Sequence, residues 1–349
     1  MAADTGRFIL FALTSVGTHF AVLYHLAYRR ATRPPYSDGF NSKLAQRMTQ
    51  GLALLSAFMT MLTPLFITDA DPLLQCGLRV LCFFYACKLL DLGVVRADKS
   101  PTRLLQHGKR SNADSSQPAP MRTFGDLMSY SWLLLTEMRY RSFDIAVKQK
   151  GRPTAPSTES DRKRLMSTAS PLVVLPALAW LIPSPATECA VLLLVIQHGL
   201  EGVHTLLHPR CPEPIFYRPF VAGSLTEFWS TNWHAGASPF LQSLAYKPAR
   251  KLTGSRAAGV LAAFCLTGIW HGWASTPIST QPWALGTQVW ALFVGFGIGC
   301  LAEKLVWGEK QGGQLQHVIV WAVSLVGAGI CARTLECTCR YAWVRAQCG

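Results

Sequence analysis

His271 is the residue whose type and position best fit catalysis. It stands in the apolar run Val260–Ala274, which fits inside a membrane helix. An ionisable side chain in such a run is costly and is rarely kept for packing alone. Apolar neighbours would keep the imidazole neutral, and a neutral imidazole can act as a general base. The alternative is a histidine that hydrogen-bonds between helices and only serves packing.

Two glycines and a tryptophan surround His271 in the sequence. Gly268 and Gly272 are four residues apart and therefore share one face of a helix. Small residues at this spacing let another helix, or a substrate chain, come close to His271. Trp270 is expected to contact the substrate beside the base.

A second aromatic–histidine motif lies upstream, running from Glu227 to His234 as Glu-Phe-Trp-Ser-Thr-Asn-Trp-His. His234 could orient a substrate carbonyl or assist the base, and Asn232 offers a neutral amide. Trp229 and Trp233 are four residues apart and would wall a tunnel if the segment is helical. Glu227 is expected to contact substrate or to hold a neighbouring basic residue. An aromatic belt with only a structural role is the alternative.

A third polar stripe consists of His198, Glu201, His204 and His208. They are three, three and four residues apart, which puts all four side chains on one face of a helix. A His pair beside a Glu could ligate a metal. Membrane di-iron oxygenases need several such histidine boxes, and the chain has nine histidines with one pair of this kind. A stripe that lines a cavity or ends a helix is the favoured interpretation, and no metal site is predicted.

Membrane helices must position these residues. Half of the 349 residues are hydrophobic and 15% are charged, which is too apolar for an ordinary soluble domain. The sequence therefore predicts an all-α polytopic membrane protein with about eight spans and a re-entrant or interfacial segment near 124–147. The predicted spans are 8–28, 48–68, 72–95, 165–183, 188–208, 257–276, 286–303 and 315–332.

Basic residues concentrate in alternate connections. Residues 29–47, 96–164 and 209–256 are basic, whereas the intervening connections are short and neutral or acidic. This pattern predicts that the basic connections face the cytosol. It also accounts for the net charge of +14 without nucleic acid as a partner.

One pair of ionisable residues lies in an apolar span, and several common catalytic motifs are absent from the sequence. Lys88 and Asp91 are three residues apart late in the third predicted span and are expected to pair with each other. The sequence contains no G-x-S-x-G elbow, P-loop or dinucleotide-binding glycine motif, so these motifs give no support to serine hydrolase, NTPase or dinucleotide-linked chemistry.

The two histidine motifs resemble those of the wax synthase branch of the membrane-bound O-acyltransferases. Ser224-Leu-Thr-Glu-Phe-Trp-Ser-Thr-Asn-Trp-His234 is similar to that branch's Ser-Leu-x-Glu/Asp-Phe-Trp-Gly-Arg-Arg-Trp-His block, and Leu266-Thr-Gly-Ile-Trp-His271-Gly to its Ser-Gly-Leu-Trp-His-Gly block. Arg218-Pro-Phe220 and Tyr246-Lys-Pro248 add to the resemblance. It covers 218–275, the expected wax synthase-like core of a single membrane domain over 1–349.

The resemblance implies a membrane-bound enzyme, located in the endoplasmic reticulum, that transfers an acyl group from acyl-CoA to a hydroxyl. It makes His271 the catalytic base and His234 the second active-site residue. The acceptor would be a long-chain alcohol or a terpenoid-type secondary metabolite, and the donor would carry an acetyl or a longer acyl group. Acyl-CoA, the lipophilic acceptor and membrane lipid are the expected partners, and no bound cofactor is expected.

The chain departs from the family pattern at Ser230-Thr-Asn232, where relatives carry Gly-Arg-Arg. If those arginines hold coenzyme A, other basic residues must do so here, and Arg218, Lys247 and Arg250 are the candidates. Two other classes remain open at this point. One is a transporter or non-catalytic membrane protein in which His271 lines a pathway, and the other is a membrane di-iron oxygenase that uses the His198–His208 stripe.

Overall fold

A computed structural model gives the fold over most of the chain. Packing divides the chain into a first unit, Met1–Val147 with Ala237–Gly259, and a second unit, Lys148–Gly236 with Val260–Gly349. The residues described are 2–32, 40–67, 71–98, 101–103, 123–140, 142–146, 181, 185–208, 215–217, 222–233, 235–308 and 313–338.

Helices make up the regular structure of the described residues, and β-structure there is limited to isolated bridges such as Arg103 with Phe143. The all-α prediction is therefore confirmed. The long helices are α1 (Ala2–Thr32), α2 (Phe40–Leu62), α3 (Pro72–Leu90), α4 (Phe124–Thr136), α5 (Pro185–Leu207), α6 (Arg256–Ser275), α7 (Pro282–Trp307) and α8 (Gln314–Thr338). Short helical turns occupy Leu225–Glu227, Phe228–Asn232, Ala235–Ala237, Ser238–Leu241, Gln242–Tyr246 and Lys247–Thr253.

Local sequence fixes several helix ends. Asp71 accepts hydrogen bonds from the backbone N–H groups of Leu73 and Leu74, and Pro72 takes the first position of α3, where a missing N–H costs nothing. Thr123 and Asp126 form a reciprocal capping box at the start of α4. These caps satisfy backbone donors that would otherwise be left without partners at the helix starts.

The first unit packs α2 against α1 and α3, and α4 against α1, around a buried apolar cluster that includes Leu23, Leu26 and Tyr130. Hydroxyl groups join α1 to α2: the Ser15 and Thr60 hydroxyls lie 2.9 Å apart, and those of Thr18 and Ser56 lie 3.0 Å apart. Such hydrogen bonds hold helices together where lipid removes the hydrophobic driving force between them.

Lys88 lies buried in the first unit, and its expected pairing with Asp91 is wrong. Its Nζ donates to the backbone carbonyl oxygens of Leu135, at 3.0 Å, and Glu137, at 2.7 Å. Asp91 instead accepts from Nε of Arg96 at 2.7 Å. The difference arises because α4 ends beside Lys88, and the last carbonyls of a helix lack intrahelical donors.

Tyr140 lies beside the buried Lys88 side chain in the first unit. Its backbone adopts a left-handed conformation with φ of 54°, and its ring lies 5.0 Å from the Lys88 Nζ. Burial raises the pKa of the phenol well above its usual range, so the phenol stays neutral. The segment after α4 is thus irregular and largely buried, whereas the sequence predicted one re-entrant or interfacial segment near 124–147.

The second unit packs α8 against α5 and α7, and α7 against the Leu225–Glu227 turn. The end of α8 is tied to the connection between α6 and α7, since the backbone N–H of Thr280 donates to the carbonyl of Thr338 at 2.6 Å and the Ser279 hydroxyl donates to the Thr338 hydroxyl at 2.7 Å. A buried cluster of Leu225, Phe293, Phe296 and Cys300 forms its core.

Three helical segments in the described part of the chain are long and apolar enough to cross a membrane by length and composition: Lys43–Phe66, Arg256–Ile278 and Pro282–Trp307. The first of them exposes Leu54, Leu55 and Phe58, as a lipid-facing surface would. The predicted spans 8–28, 72–95, 188–208 and 315–332 fall on helices too, although 72–95 ends in a π-helical turn, and 165–183 lies almost wholly outside the described residues. The total of eight stays a prediction.

Replacing Lys88 by methionine should destabilise the first unit. The change leaves the Leu135 and Glu137 carbonyl oxygens without their donor, and an unsatisfied buried polar group costs about 1–3 kcal/mol. We expect Lys88→Met to lower the melting temperature of the detergent-solubilised protein. Lys251→Met, at an exposed position, is the control and should leave it unchanged. Equal melting temperatures for both variants would contradict the structural role of Lys88.

Candidate active site

His271 lies in the last turns of α6, and its ring orientation is set by one backbone contact. Nδ1 of the imidazole lies 2.9 Å from the carbonyl oxygen of Thr267, one turn earlier. Because a carbonyl can only accept, the proton of the neutral ring must sit on Nδ1. Nε2 is then the nitrogen with the lone pair. This is the tautomer that a general base acting through Nε2 requires.

Aromatic rings flank this imidazole. The ring of Phe293 from α7 lies 4.5 Å from it between centroids, tilted by 33°, and that of Trp270 lies 4.9 Å away. Trp270 is buried, whereas His271 is only half-buried. Rings on its sides and a hydrogen bond at Nδ1 restrict the imidazole to one orientation.

Close contact between α6 and α7 brings Phe293 to His271. A Cβ added at Gly272 would lie 2.5 Å from the Gly286 carbonyl oxygen, and one added at Gly268 would lie 2.9 Å from that of Trp290. The two glycines therefore serve the approach of another helix, which is one of the two roles predicted for them.

The second motif forms a short helical segment, which is the condition stated above for its two tryptophans to wall a tunnel. Residues Leu225–Glu227 are α-helical, and Phe228–Asn232 form a π-helical turn that the Trp233 N–H closes onto the Phe228 carbonyl at 2.7 Å. Asn232 is buried, and its backbone carbonyl accepts from the backbone N–H of Tyr217 at 2.9 Å. Single π-turns are rare and are often found at functional sites.

Trp229 connects this segment to the surroundings of His271. Its indole lies 5.6 Å from Phe293, 5.2 Å from Phe296 and 5.7 Å from Phe264 between centroids. Trp233 lies 6.3 Å from Trp229. We call these five rings the Trp229 cluster. Phe293 belongs to it and also contacts His271, so the cluster reaches the imidazole.

Ser230 and Thr231, where the resemblance leads us to expect glycine and arginine, have side chains that hydrogen-bond locally. The Ser230 hydroxyl donates to the Thr226 carbonyl at 2.5 Å and lies 3.3 Å from the Thr231 hydroxyl. Hydroxyl side chains commonly bond to the preceding turn in this way. The Ser230 hydroxyl is therefore bound within its own turn.

The remaining candidate residues that the structure describes are exposed. The Glu227 side chain is exposed and accepts from the Gly223 N–H at 2.8 Å. Lys247 and Arg250 are exposed on the short Lys247–Thr253 helix of the first unit. His234 and Arg218 lie outside the described residues, so their predicted roles stay predictions.

Within the His198–His208 stripe, Glu201 has a structural role. The Glu201 carboxylate accepts from the Ile215 N–H at 2.6 Å and so ties α5 to the start of the following segment. The rings of His204 and His208 lie 5.4 Å apart between centroids. In the part of the chain that the structure describes, no three His, Cys, Asp or Glu side chains come together as a potential metal site.

Sequence reasoning missed Phe264, Phe293, Phe296 and Glu303. The phenylalanines occur in apolar spans, where nothing in the sequence separates a ring beside His271 from one that faces lipid. Glu303 did carry a signal, because an acidic residue at the end of an apolar span is itself a candidate functional residue. It is buried against the second motif.

A family model for the membrane bound O-acyl transferase family matches residues 211–294. This range contains the π-turn, His271 and Phe293. Over this segment the chain is similar to the membrane-bound O-acyltransferases. The resemblance expected from the two histidine motifs is thereby confirmed over this segment.

A protein of Arabidopsis thaliana named probable long-chain-alcohol O-fatty-acyltransferase 1 is similar to part of this chain. The two are 35% identical over 66 residues, which is 17% of this chain and 19% of the relative. The similarity thus spans less than a fifth of the relative's own length, and it agrees with the wax synthase branch of the family.

Replacing Gly272 by alanine should separate α6 from α7. The added Cβ would lie 2.5 Å from a backbone oxygen, and overpacking of this kind costs about 1–3 kcal/mol. We expect a lower melting temperature and a reduced rate of acyl transfer, because Phe293 would move away from His271. Gly295→Ala on α7 is the control, since a Cβ there meets nothing within 4 Å. Gly295→Ala should leave the melting temperature unchanged or raise it slightly, because alanine favours a helix more than glycine does. Equal behaviour of both variants would contradict the close contact.

Proposed function

We propose that the protein transfers an acyl group from acyl-CoA to the hydroxyl of a lipophilic alcohol, with His271 as general base. The observation that carries this proposal is the contact of His271 Nδ1 with the Thr267 carbonyl, which leaves Nε2 as the basic nitrogen. The match of residues 211–294 to the O-acyltransferase family supports the same chemistry.

The reaction needs one base and one oxyanion donor. Nε2 of His271 accepts the proton of the acceptor hydroxyl while its oxygen attacks the thioester carbonyl carbon. The tetrahedral intermediate collapses with cleavage of the carbon–sulfur bond, and the imidazolium returns the proton to the leaving thiolate. The products are the ester and free coenzyme A, and the histidine is neutral again. The sequence of steps forms no acyl-enzyme and requires no metal ion.

The second motif supplies the oxyanion donor in this proposal. Asn232 has an amide N–H group to offer, and His234 has a ring N–H. A donor aimed at the charge that develops on the carbonyl oxygen lowers the barrier most in a dry, apolar site. The buried position of Asn232 supports this role. Trp229, Trp233 and Trp270 would then contact the acyl chain or the acceptor.

The Trp229 cluster supports an apolar substrate. Its rings offer contact area to a hydrocarbon chain and few hydrogen bonds to a polar one. Long-chain alcohols and terpenoid-type secondary metabolites both fit, with an acetyl or a longer acyl donor, and the name of the Arabidopsis relative supports the long-chain alcohol. The endoplasmic reticulum is the proposed location of this integral membrane protein.

Basic residues of the 209–256 connection would bind the phosphates of coenzyme A. Arg218, Lys247 and Arg250 are the candidates, and Lys247 and Arg250 are exposed and therefore accessible to a soluble headgroup. Their location in a basic connection fits a donor that enters from the cytosol.

Replacing His271 by alanine should abolish the transfer. Loss of a general base lowers turnover by about 10²–10⁴-fold. We expect His234→Ala to lower turnover by about 10²–10³-fold through loss of an oxyanion donor. His204→Ala is the matched control and should keep wild-type turnover per folded molecule. The assay measures coenzyme A release by detergent-solubilised protein, with acetyl-CoA or a long-chain acyl-CoA and with long-chain alcohols or hydroxylated terpenoids as acceptors.

Each outcome of this assay decides something. Acceptor-dependent release that disappears in His271→Ala establishes both the reaction and its base. Wild-type turnover in His271→Ala would exclude His271 as the general base. The absence of release from folded wild-type protein with every donor and acceptor would contradict the proposed activity.

Replacing Lys247 or Arg250 by alanine should weaken binding of the donor. Because both side chains are exposed, we expect each change to raise the KM for acyl-CoA by about twofold to fivefold with little effect on kcat. Lys251→Ala on the same short helix is the control and should leave the KM unchanged. An effect of Lys251→Ala equal to the other two would mean that only the net charge of this helix matters.

A further inference from the structure

One face of α7 carries side chains that contact both histidine motifs. Phe293, Phe296, Cys300 and Glu303 follow one another at spacings of three, four and three, which places them on one stripe of the helix. Phe293 contacts the His271 ring at one end of the stripe. Glu303 lies about 15 Å along the helix from Phe293, at a rise of about 1.5 Å per residue.

Glu303 binds the first turn of the second motif with both carboxylate oxygens. Oε1 accepts from the backbone N–H of Leu225 at 2.7 Å. Oε2 accepts from the backbone N–H of Thr226 at 3.0 Å and from its hydroxyl at 3.1 Å. The carboxylate is buried, and these three donors compensate a charge that would otherwise be costly in apolar surroundings.

The local sequence alone does not satisfy this turn. Four backbone N–H groups at the start of a helix need partners. The donors of Leu225, Thr226 and Glu227 come before the first bond within the helix, which the Phe228 N–H makes to the Ser224 carbonyl at 2.9 Å. The Ser224 hydroxyl accepts from one of these three, the Glu227 N–H, at 2.9 Å. Glu303, which is distant in sequence, accepts from the other two. The completed cap therefore exists only when the segment is docked on α7.

Glycine completes the docking surface one turn before Glu303. A Cβ added at Gly299 would lie 2.7 Å from the Leu225 side chain, so glycine makes room for this buried leucine. Trp229 follows Leu225 by one turn and packs on Phe293 and Phe296 of the same stripe. Polar and apolar contacts together fix the register of the second motif on α7.

We propose that Glu303 is a positioning residue for acyl transfer: it fixes residues 224–233, and with them Asn232 and Trp229, on the face of α7 that also contacts His271. This inference rests on the proposed function. Glu303 touches no reacting atom in this proposal and acts through the segment that it holds. Misplacement of a catalytic segment by about 1 Å can cost about 10²-fold in rate.

Variants of Glu303 and its neighbour test the proposal. Glu303→Ala removes all three hydrogen bonds. Glu303→Gln keeps one acceptor oxygen but turns its NH₂ group towards a donor, so its effect should be smaller. Thr226→Val removes only the hydroxyl bond and should have the smallest effect. Lys304→Ala, at the next and exposed position of α7, is the matched control.

Two measurements separate a positioning role from loss of folding. Hydrogen–deuterium exchange followed by mass spectrometry reports the protection of the Leu225 and Thr226 amides, and it needs no activity. We expect at least about tenfold faster exchange there in Glu303→Ala, with α6 and α8 unchanged. Coenzyme A release should show kcat lowered about tenfold or more, with the KM for acyl-CoA within about twofold of wild type.

The outcomes are distinguishable. Unchanged exchange at 225–226 in Glu303→Ala would overturn the positioning role whatever the activity. Faster exchange with wild-type kcat would also overturn it, because the segment would then not need to be held for transfer. An inactive wild-type protein would overturn the proposed function, and exchange alone would then show whether Glu303 holds the segment.

Discussion

The close contact of α6 with α7 is the constraint on which the candidate site depends. Gly272 and Gly286 face each other with no room for a Cβ on Gly272, so the two helices meet backbone to backbone. At this separation a phenylalanine of α7 can reach the imidazole on α6. A wider separation would leave His271 with its Thr267 contact but without the ring at its side, and the face of α7 that binds the second motif would also lie further away.

Apolar surroundings make each buried polar group a decisive contact. His271 uses a carbonyl of its own helix, Lys88 uses two carbonyls beyond the end of α4, and Glu303 uses two N–H groups and a hydroxyl. Each bond costs far more to break in such surroundings than in water, because no solvent replaces the lost partner. Long apolar helices can slide past one another. A small number of polar contacts therefore determines their relative positions.

Much of the fold could be predicted from the sequence, because apolar runs and basic connections are strong signals. His271 and its glycines could be singled out from the sequence, since an ionisable residue and small residues are conspicuous within an apolar run. The Lys88–Asp91 pairing was wrong because spacing along one helix does not show where a neighbouring helix ends. Phe293 was missed because its role depends on the contact between α6 and α7. Contacts between distant segments, such as Glu303 with Leu225, have no local sequence pattern.

The π-turn at Phe228–Asn232 affects which changes the gene can tolerate. It contains Trp229, whose ring packs on Phe293 of α7, and Asn232, whose backbone carbonyl accepts from the Tyr217 N–H. Deleting one codon would turn the following side chain about 100° around the helix axis, the angle between successive residues of an α-helix. Substitutions within the turn leave that angle unchanged. The number of codons in this turn is therefore more tightly constrained than their identity.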